Sequence, residues 1–143
     1  MKAMQDEIKF LHDNHTYELV NLRKGKRVLK NKWVYRIKHE ENNTQPRYKA
    51  RLVVKGFGQK KGIDFGEIFS PIIKMSSIRI VLDLATSLDL KVEHLNVKTA
   101  FLHDDLEETI YMEQPEGFVK RGEENKVCRL KKAIYGLKQA SRT

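Results

Sequence analysis

The chain has 143 residues, and its composition is that of a folded protein. Its 40% hydrophobic and 33% charged residues, with only three prolines, exclude a disordered low-complexity chain. There is no apolar run of about 18 residues and no apolar segment after the first residues, so neither a membrane span nor a signal peptide is expected. Cys128 is the single cysteine and cannot form an internal disulfide, which favours an intracellular location, cytoplasmic or nuclear.

The formal net charge of +9 is concentrated in the first half of the sequence. Residues 1–80 carry 18 Lys or Arg against 8 Asp or Glu, a net charge of +10, whereas residues 81–143 carry 10 against 11, a net charge of −1. A basic region of this size can neutralise several phosphates and release their counterions, which gives salt-dependent affinity for nucleic acid. Composition alone leaves a solvated basic face without a ligand equally open.

The first half reads as a helix followed by basic strands. Apolar residues at helical spacing predict an amphipathic helix over residues 3–13, and alternation predicts a strand over 16–20. Residues 31–38 and 48–55 are two further β-rich runs joined by a polar turn, which predicts an antiparallel hairpin. Alternation places one apolar set and one basic set on opposite faces of the first run: Trp33, Tyr35 and Ile37 against Lys32, Arg36 and Lys38.

The second half reads as a helix followed by short strands. Residues 63–71 lack a sustained period and are expected to form an ordered loop, after which Ser76 or Ser77 can cap a helix over 78–88 with a broad apolar stripe. Strands are predicted over 91–97, 110–113 and 127–130, with a turn at 114–118. This order of elements predicts an α+β fold, mainly antiparallel, with two or three helices.

Eight short strings follow one another along the chain: Asn-Lys-Trp-Val-Tyr at 31–35, Tyr-Lys-Ala-Arg-Leu-Val at 48–53, Lys-Gly-Phe at 55–57, Gly-Ile-Asp-Phe at 62–65, Phe-Ser-Pro at 69–71, Val-Lys-Thr-Ala-Phe-Leu at 97–102, Gln-Pro-Glu-Gly-Phe at 114–118 and Leu-Lys-Gln-Ala at 137–140. In this order they resemble the reverse transcriptase domain of copia-type retrotransposon polyproteins. The resemblance covers nearly the whole chain from about Met4, and its specificity comes from the ordered set.

The resemblance implies a right-hand polymerase fold and a reaction. Residues 1–90 would be a fingers-like region with the basic hairpin, and residues 91–143 the beginning of the palm, with the remainder of the palm expected beyond residue 143. The family is an RNA-directed DNA polymerase, a nucleotidyltransferase that uses Mg²⁺ held on aspartates. Its partners are an RNA or DNA template-primer and a deoxynucleoside triphosphate, and its domain is part of a polyprotein.

By this resemblance Asn96 stands at the position of the family's first metal aspartate. An amide offers one neutral carbonyl oxygen and no negative charge, so Mg²⁺ binding by this chain is expected to be weakened. A loss of about 3 kcal/mol of transition-state stabilisation would lower the rate roughly a hundredfold. Asp104 stands where the family usually has Gly, and the paired aspartates of its later Tyr-x-Asp-Asp box have no counterpart in the 143 residues. No metal ligand is therefore assigned.

Other positions carry over from the family as follows. Phe101 resembles the aromatic residue beneath the sugar of the incoming nucleotide. Lys49, Arg51 and Lys55 are expected to meet triphosphate or template phosphate. The residues expected near the templating base are Gly136, Lys138 and Gln139.

Simpler interpretations stand beside these. Asn96 is a polar strand end without the resemblance, and Phe101 is by default a core aromatic. Trp33 and Tyr35 could stack on bases, but their strand face is more often core. The acidic residues at 104–108 suggest a solvated loop rather than a metal site, and His12 and His15 lack the further ligands that zinc needs.

Three functions remain open at this point. The first is a fragment of a copia-type reverse transcriptase that is inactive alone. The second is a non-enzymatic basic nucleic-acid-binding module, and the third is a non-functional retroelement relic. Salt-dependent binding of RNA or DNA would support the second, whereas cooperative unfolding would argue against the third.

Overall fold

The computed structural model describes residues 1–39, 46–66, 73–93, 95 and 105–141. In these ranges the chain forms two α-helices and six strands, with 3₁₀ turns at Gly56–Gly58 and Lys138–Ser141. The elements in chain order are α1 (Lys2–Asp13), β1 (Tyr17–Val20), β2 (Val28–Leu29), β3 (Asn31–Lys38), β4 (Arg47–Val54), α2 (Met75–Ser87), β5 (Asp105–Met112) and β6 (Val127–Lys132). The prediction of a mixed, mainly antiparallel fold is confirmed.

Four strands form one sheet in the order β1-β6-β5-β2. β6 pairs antiparallel with both neighbours, and the short strand β2 pairs parallel with the end of β5. The last three residues of β5, which end at Met112, are fully buried, and β6 buries Cys128 and Leu130. The apolar side chains of β5 and β6 form one side of the core.

β3 and β4 form a separate two-stranded hairpin, as predicted. Its antiparallel register runs from Asn31 opposite Val54 to Lys38 opposite Arg47. We call the Asn31–Val54 end the root and the Lys38–Arg47 end the tip. Burial along β4 alternates and increases toward the root, where Leu52 and Val54 are almost fully buried.

The core lies between the root of the hairpin, helix α1 and the four-stranded sheet. Helix α1 contributes Leu11, the residue at the predicted apolar stripe that is fully buried. The segment after β6 also belongs to the core, although it is largely irregular. The buried cluster consists of Leu11, Leu29, Leu52, Val54, Ile110, Met112, Cys128, Leu130, Ala133, Ile134, Leu137 and Ala140.

Helix α2 differs from its prediction at its start and in its surroundings. It begins at Met75 rather than Ile78, and its N-cap is Lys74, whose side chain makes no capping hydrogen bond, so the predicted serine caps are wrong. The predicted apolar stripe exists, but only Ala85 is buried within it. Ile80 and Val81 are each about two-thirds exposed, at 66% and 65%.

Other predictions are also corrected. Residues 91–93 are not in a strand, so the described part of the strand predicted over 91–97 is wrong; residue 94 and residues 96–97 lie outside the described ranges. The acidic residues from Asp105 onward belong to β5 rather than to a loop, because this strand extends five residues before its predicted start. Strand β2 was not predicted, since two residues are too few to show a period.

Candidate nucleic-acid interface

One face of the hairpin is almost entirely basic. Side chains at alternate positions of a strand share a face, and directly opposite residues of an antiparallel pair lie on the same side. The register therefore collects six cations on this face, three from β3 and three from β4: Lys32, Arg36, Lys38, Arg47, Lys49 and Arg51. We call this set the basic face.

Like charges lie directly opposite one another across this hairpin. Arg36 pairs in register with Lys49, and Lys38 with Arg47. Such pairs destabilise a hairpin, since opposite charges are the favourable arrangement. Opposite charges do meet at other places on the protein, at Arg27 with Asp64 and around Glu18 and Glu123. The repulsion would be relieved by an anion bound across the strands.

Lys49 has the electrostatic environment expected on such a surface. Its pKa is lowered, first by partial burial and then by the charges of Arg51 and Lys38. Glu7 of α1 lies nearby and opposes this shift. The pKa of Glu7 is itself raised, because desolvation outweighs the hydrogen bond that Leu52 N donates to its Oε1 at 3.3 Å and the attraction of nearby cations. Glu7 thus accepts a hydrogen bond from the backbone of β4, and its charge also attracts Arg51 and Lys49 of the basic face.

Arg51 connects the basic face to the segment that follows β6. Its guanidinium carbon lies 4.4 Å from the ring centre of Tyr135, a cation–π contact. Tyr135 also holds the root of the hairpin through its carbonyl, which accepts a hydrogen bond from Val54 N at 2.8 Å. Lys55 follows β4 directly, and its backbone N donates to Lys30 O at 2.8 Å. Lys49 and Arg51 therefore lie on β4 and Lys55 directly follows it, and their contact with phosphate stays a prediction.

A buried amide pair joins the loop after β4 to the C-terminal 3₁₀ turn. Gln59 Nε2 donates to Gln139 Oε1 at 2.8 Å, and both side chains are only 4% exposed. Gln139 Nε2 donates to Asp64 O at 2.7 Å, and Gln59 Oε1 accepts from Lys138 N at 2.8 Å. Burial requires such partners, because an unpaired amide inside the protein costs about 1–3 kcal/mol. We call Gln59 and Gln139 the glutamine clip.

Two glycines allow the same segments to approach closely. Gly136 has φ +90°, a backbone conformation that other residues rarely adopt, and a Cβ there would collide with Val54 O. A Cβ on Gly56 would collide in turn with Gly136 O. Glycine is thus required at position 136, where the segment after β6 crosses the end of β4.

Lys138 has the exposed side chain of this C-terminal group. Its ammonium nitrogen lies 4.4 Å from the ring centre of Phe65, and its side chain is open to solvent. Of the three residues predicted to lie near the templating base, Gln139 is buried, Gly136 is exposed but lies close to the backbone of Val54, and Lys138 is exposed. Their role at a template remains a prediction.

The segment at 113–118, which follows β5, contacts the root of the hairpin. Asn31 Nδ2 donates to Glu113 O at 2.8 Å, and Trp33 Nε1 donates to Glu116 O at 3.1 Å. The rings of Trp33 and Phe118 are 5.7 Å apart in a tilted arrangement. Trp33 is therefore partly buried against the core, whereas Tyr35 on the same face is 63% exposed.

Asn96 and Phe101 lie outside the described residues, so the prediction for each stands on sequence alone. Among the described residues there is no group of three or more His, Cys, Asp or Glu side chains that could hold a metal ion. Sequence reasoning missed Gln59 and Asp64 as partners of Gln139. The only signal for them was their position, since Gln59 lies between the matched strings at 55–57 and 62–65 and Asp64 lies within the second.

The basic face is suited to a polyanion, and the comparisons with known proteins identify the class of protein to which this chain belongs. The model of the family described as "Reverse transcriptase (RNA-dependent DNA polymerase)" matches residues 14–143. The chain belongs to this family.

Individual relatives identify the branch of the family. The chain is 66% identical over 142 residues to the retrovirus-related Pol polyprotein from transposon TNT 1-94 of Nicotiana tabacum, covering 99% of this chain and 11% of that protein. It is 43% identical over 141 residues to the corresponding polyprotein from transposon RE1 of Arabidopsis thaliana, covering 98% of this chain and 10% of that protein. The chain is thus a copia-type Pol polyprotein segment that spans about a tenth of these relatives.

A more distant relative is the Gag-Pol polyprotein of transposon Ty1-BL from Saccharomyces cerevisiae, which is 28% identical over 115 residues, 80% of this chain and 6% of that protein. No solved structure gives a significant match to the chain. In the part of the chain that the structure describes, no helix is both long and apolar enough to cross a membrane.

Proposed function

We propose that this chain is the fingers region and the beginning of the palm of a copia-type reverse transcriptase, and that its basic face binds the phosphates of a template-primer. The observation that carries the proposal is the basic face itself. Six cations in register on one hairpin, in a member of the reverse transcriptase family, form a surface suited to a polyanion. Residues 1–90 would be the fingers-like part and residues 91–143 the beginning of the palm.

Within this proposal the predicted residues have distinct tasks. Lys49, Arg51 and Lys55 meet phosphate, with Arg51 oriented by the ring of Tyr135. Lys138 adds charge beside the loop after β4, and the glutamine clip holds Lys138 N at a fixed place. Phe101 is proposed to contact the sugar of an incoming nucleotide.

Asn96 does not fit the metal site that the family implies. Its side chain supplies a neutral oxygen where two-metal chemistry needs a charged carboxylate that binds Mg²⁺. We therefore propose that the 143-residue chain is catalytically silent when assayed alone. In a primer-extension assay with Mg²⁺, a primed RNA template and all four deoxynucleoside triphosphates, we expect no extended product. Template-dependent extension by the purified chain would refute this silence.

Binding by the basic face has a separate test. We expect the double variant Arg36→Gln with Lys49→Gln to reduce the slope of log Kd against log salt by about 1 for each phosphate contact removed. The matched control is Lys24→Gln with Lys26→Gln, which removes the same charge from an exposed loop outside the hairpin. Fluorescence anisotropy with a labelled RNA would measure both. Equal losses in the two variants, or no binding by the unmodified chain at low salt, would overturn the proposed interface.

The alternative of a non-enzymatic binding module makes the same prediction for the basic face. It is favoured specifically by Asn96, since loss of a metal carboxylate would leave phosphate binding intact. The alternative of a relic without function predicts instead that the purified chain does not unfold cooperatively on heating.

A further inference from the structure

The face of the hairpin opposite the basic face carries an uncovered apolar group near the tip. Tyr35, Ile37 and Tyr48 share this face, because Ile37 lies directly opposite Tyr48 and Tyr35 is two residues along the same strand. Their side chains are 63%, 58% and 66% exposed. We call these three residues the tip patch.

The tip patch contrasts with the rest of its own face. Toward the root, the same face carries Leu52 at 1% exposure and Trp33 packed on Phe118. Between them Ala50 is buried at 3%, and helix α1 reaches only as far as Tyr35, whose hydroxyl donates to Met4 Sδ at 3.5 Å. The core therefore ends at the middle of the hairpin, and two phenol rings and an isoleucine continue beyond it into solvent.

The charges around the tip patch indicate what would cover it. The Ile37–Tyr48 pair lies between two pairs of cations whose side chains point to the other face. These are Arg36 opposite Lys49 and Lys38 opposite Arg47. Long Lys and Arg side chains can bend around the edge of a two-stranded sheet while their stems cover apolar surface. Aromatic rings on one face, with cations that can reach around the edge from the other, combine the two features used to bind single-stranded nucleic acid, where bases stack and phosphates meet charge.

We propose that the tip patch stacks on unpaired bases, so that the hairpin prefers single-stranded to double-stranded nucleic acid. A base in a duplex has both faces covered by its neighbours, whereas an unpaired base exposes a face to Tyr48 or Tyr35. The inference rests on the proposed nucleic-acid-binding function and adds the kind of strand that is bound. The basic face supplies affinity for any phosphate chain, and the tip patch supplies the discrimination.

The test compares three labelled probes of equal length with the full 143-residue chain: an unpaired RNA, a blunt RNA duplex and an abasic strand that has phosphates but no bases. Fluorescence anisotropy gives each Kd at one fixed salt concentration. We expect Tyr48→Ala to weaken binding of the unpaired RNA about tenfold and to leave binding of the abasic strand unchanged. Tyr48→Phe, which keeps the ring, should bind the unpaired RNA like the original chain.

Phe57 provides a matched control for position. It is an equally uncovered aromatic residue, 85% exposed, and it lies in the 3₁₀ turn beyond the root. We expect Phe57→Ala to bind all three probes like the original chain. A loss in Phe57→Ala as large as that in Tyr48→Ala would overturn the assignment to the tip.

The remaining outcomes are also decisive. Because Tyr48 is exposed, its replacement is expected to leave the fold intact, and an unchanged thermal unfolding curve would establish this. If folded Tyr48→Ala binds the unpaired RNA as tightly as the original chain, the stacking inference fails while the phosphate-binding proposal stands. If an acidic polypeptide of Glu and Tyr competes with the unpaired RNA in the original chain but not in Tyr48→Ala, the tip patch is a peptide site instead.

Discussion

The root and the tip of the hairpin are built from the same two strands but are used in opposite ways. At the root, polar groups are directed inward: Asn31 donates to Glu113 O, Trp33 to Glu116 O, and Val54 N to Tyr135 O. At the tip, cations and phenol rings are directed to solvent, as Arg36 and Tyr48 illustrate. The difference separates the residues that make the fold from those available for a ligand.

The same division applies to the strings that resemble reverse transcriptases. Several of them fix the root: Gly56 allows the close crossing, and Gln139 forms half of the glutamine clip. Others contain residues of both kinds. The string at 31–35, for example, includes Trp33 near the root and Tyr35 of the tip patch. A match to a family string therefore does not by itself identify a ligand-binding residue.

The largest effect is expected at the crossing of the root. Gly136→Ala forces a Cβ against Val54 O in addition to the positive φ, so it should lower the free energy of unfolding by about 3 kcal/mol or more. Gly25→Ala is the control, because Gly25 has φ +79° but nothing within 4 Å of an added Cβ. It should cost only about 1 kcal/mol. Urea unfolding measures both, and equal losses would show that the crossing tolerates a methyl group.

The next effect is expected in the glutamine clip. Gln139→Ala removes the partner of Gln59 Nε2 and of Asp64 O, and should cost about 2 kcal/mol because both are left in the interior. The Gln59→Ala and double variants complete a cycle, whose coupling energy should be about 1 kcal/mol. Strictly additive losses would mean that the two amides do not stabilise each other.

At the tip the sign of the effect should reverse. Arg36→Gln removes a charge that faces Lys49, so the free energy of unfolding should rise by a few tenths of a kcal/mol, within about 0.5 kcal/mol. The gain should vanish at 1 M salt, where the Debye length is only about 3 Å. Destabilisation of the free protein by Arg36→Gln would show that Arg36 belongs to the folded framework, contrary to the division drawn above.

The smallest effect is expected at Glu7 of α1, whose side chain accepts a hydrogen bond from Leu52 N of β4. Because its pKa is raised by burial, the folded protein holds this proton more tightly than the unfolded chain, and its contribution to stability is lost as pH rises from 4.5 through the folded pKa. Glu7→Gln keeps an oxygen for Leu52 N but cannot ionise. Its melting temperature should exceed that of the original chain at pH 7 and match it below pH 4.5. A lower value at pH 7 would mean that attraction to Arg51 outweighs desolvation.

The hairpin and its basic face were predictable from sequence, whereas the contacts at the root were not. Alternation over eight residues sets both the faces of β3 and its partner, so the positions of Arg36 and Tyr35 follow directly. The pairing of Gln59 with Gln139 spans eighty residues and leaves no local pattern. The exposure of α2 could not be predicted either. An apolar stripe such as that around Val81 predicts a buried face, yet Val81 is exposed in the structure.

The pairing of β1 with β6 has a consequence for the order of folding. Tyr17 lies opposite Leu130, so the strand made first in synthesis finds its partner only after more than a hundred further residues have been made. Val54 N likewise waits for Tyr135 O. Such distant pairings slow folding, because loop closure is paid before the contact is gained. On a ribosome making a Pol polyprotein, helix α1 and the hairpin would exist as local structure first, with the root open until the segment at 133–140 arrives and closes it.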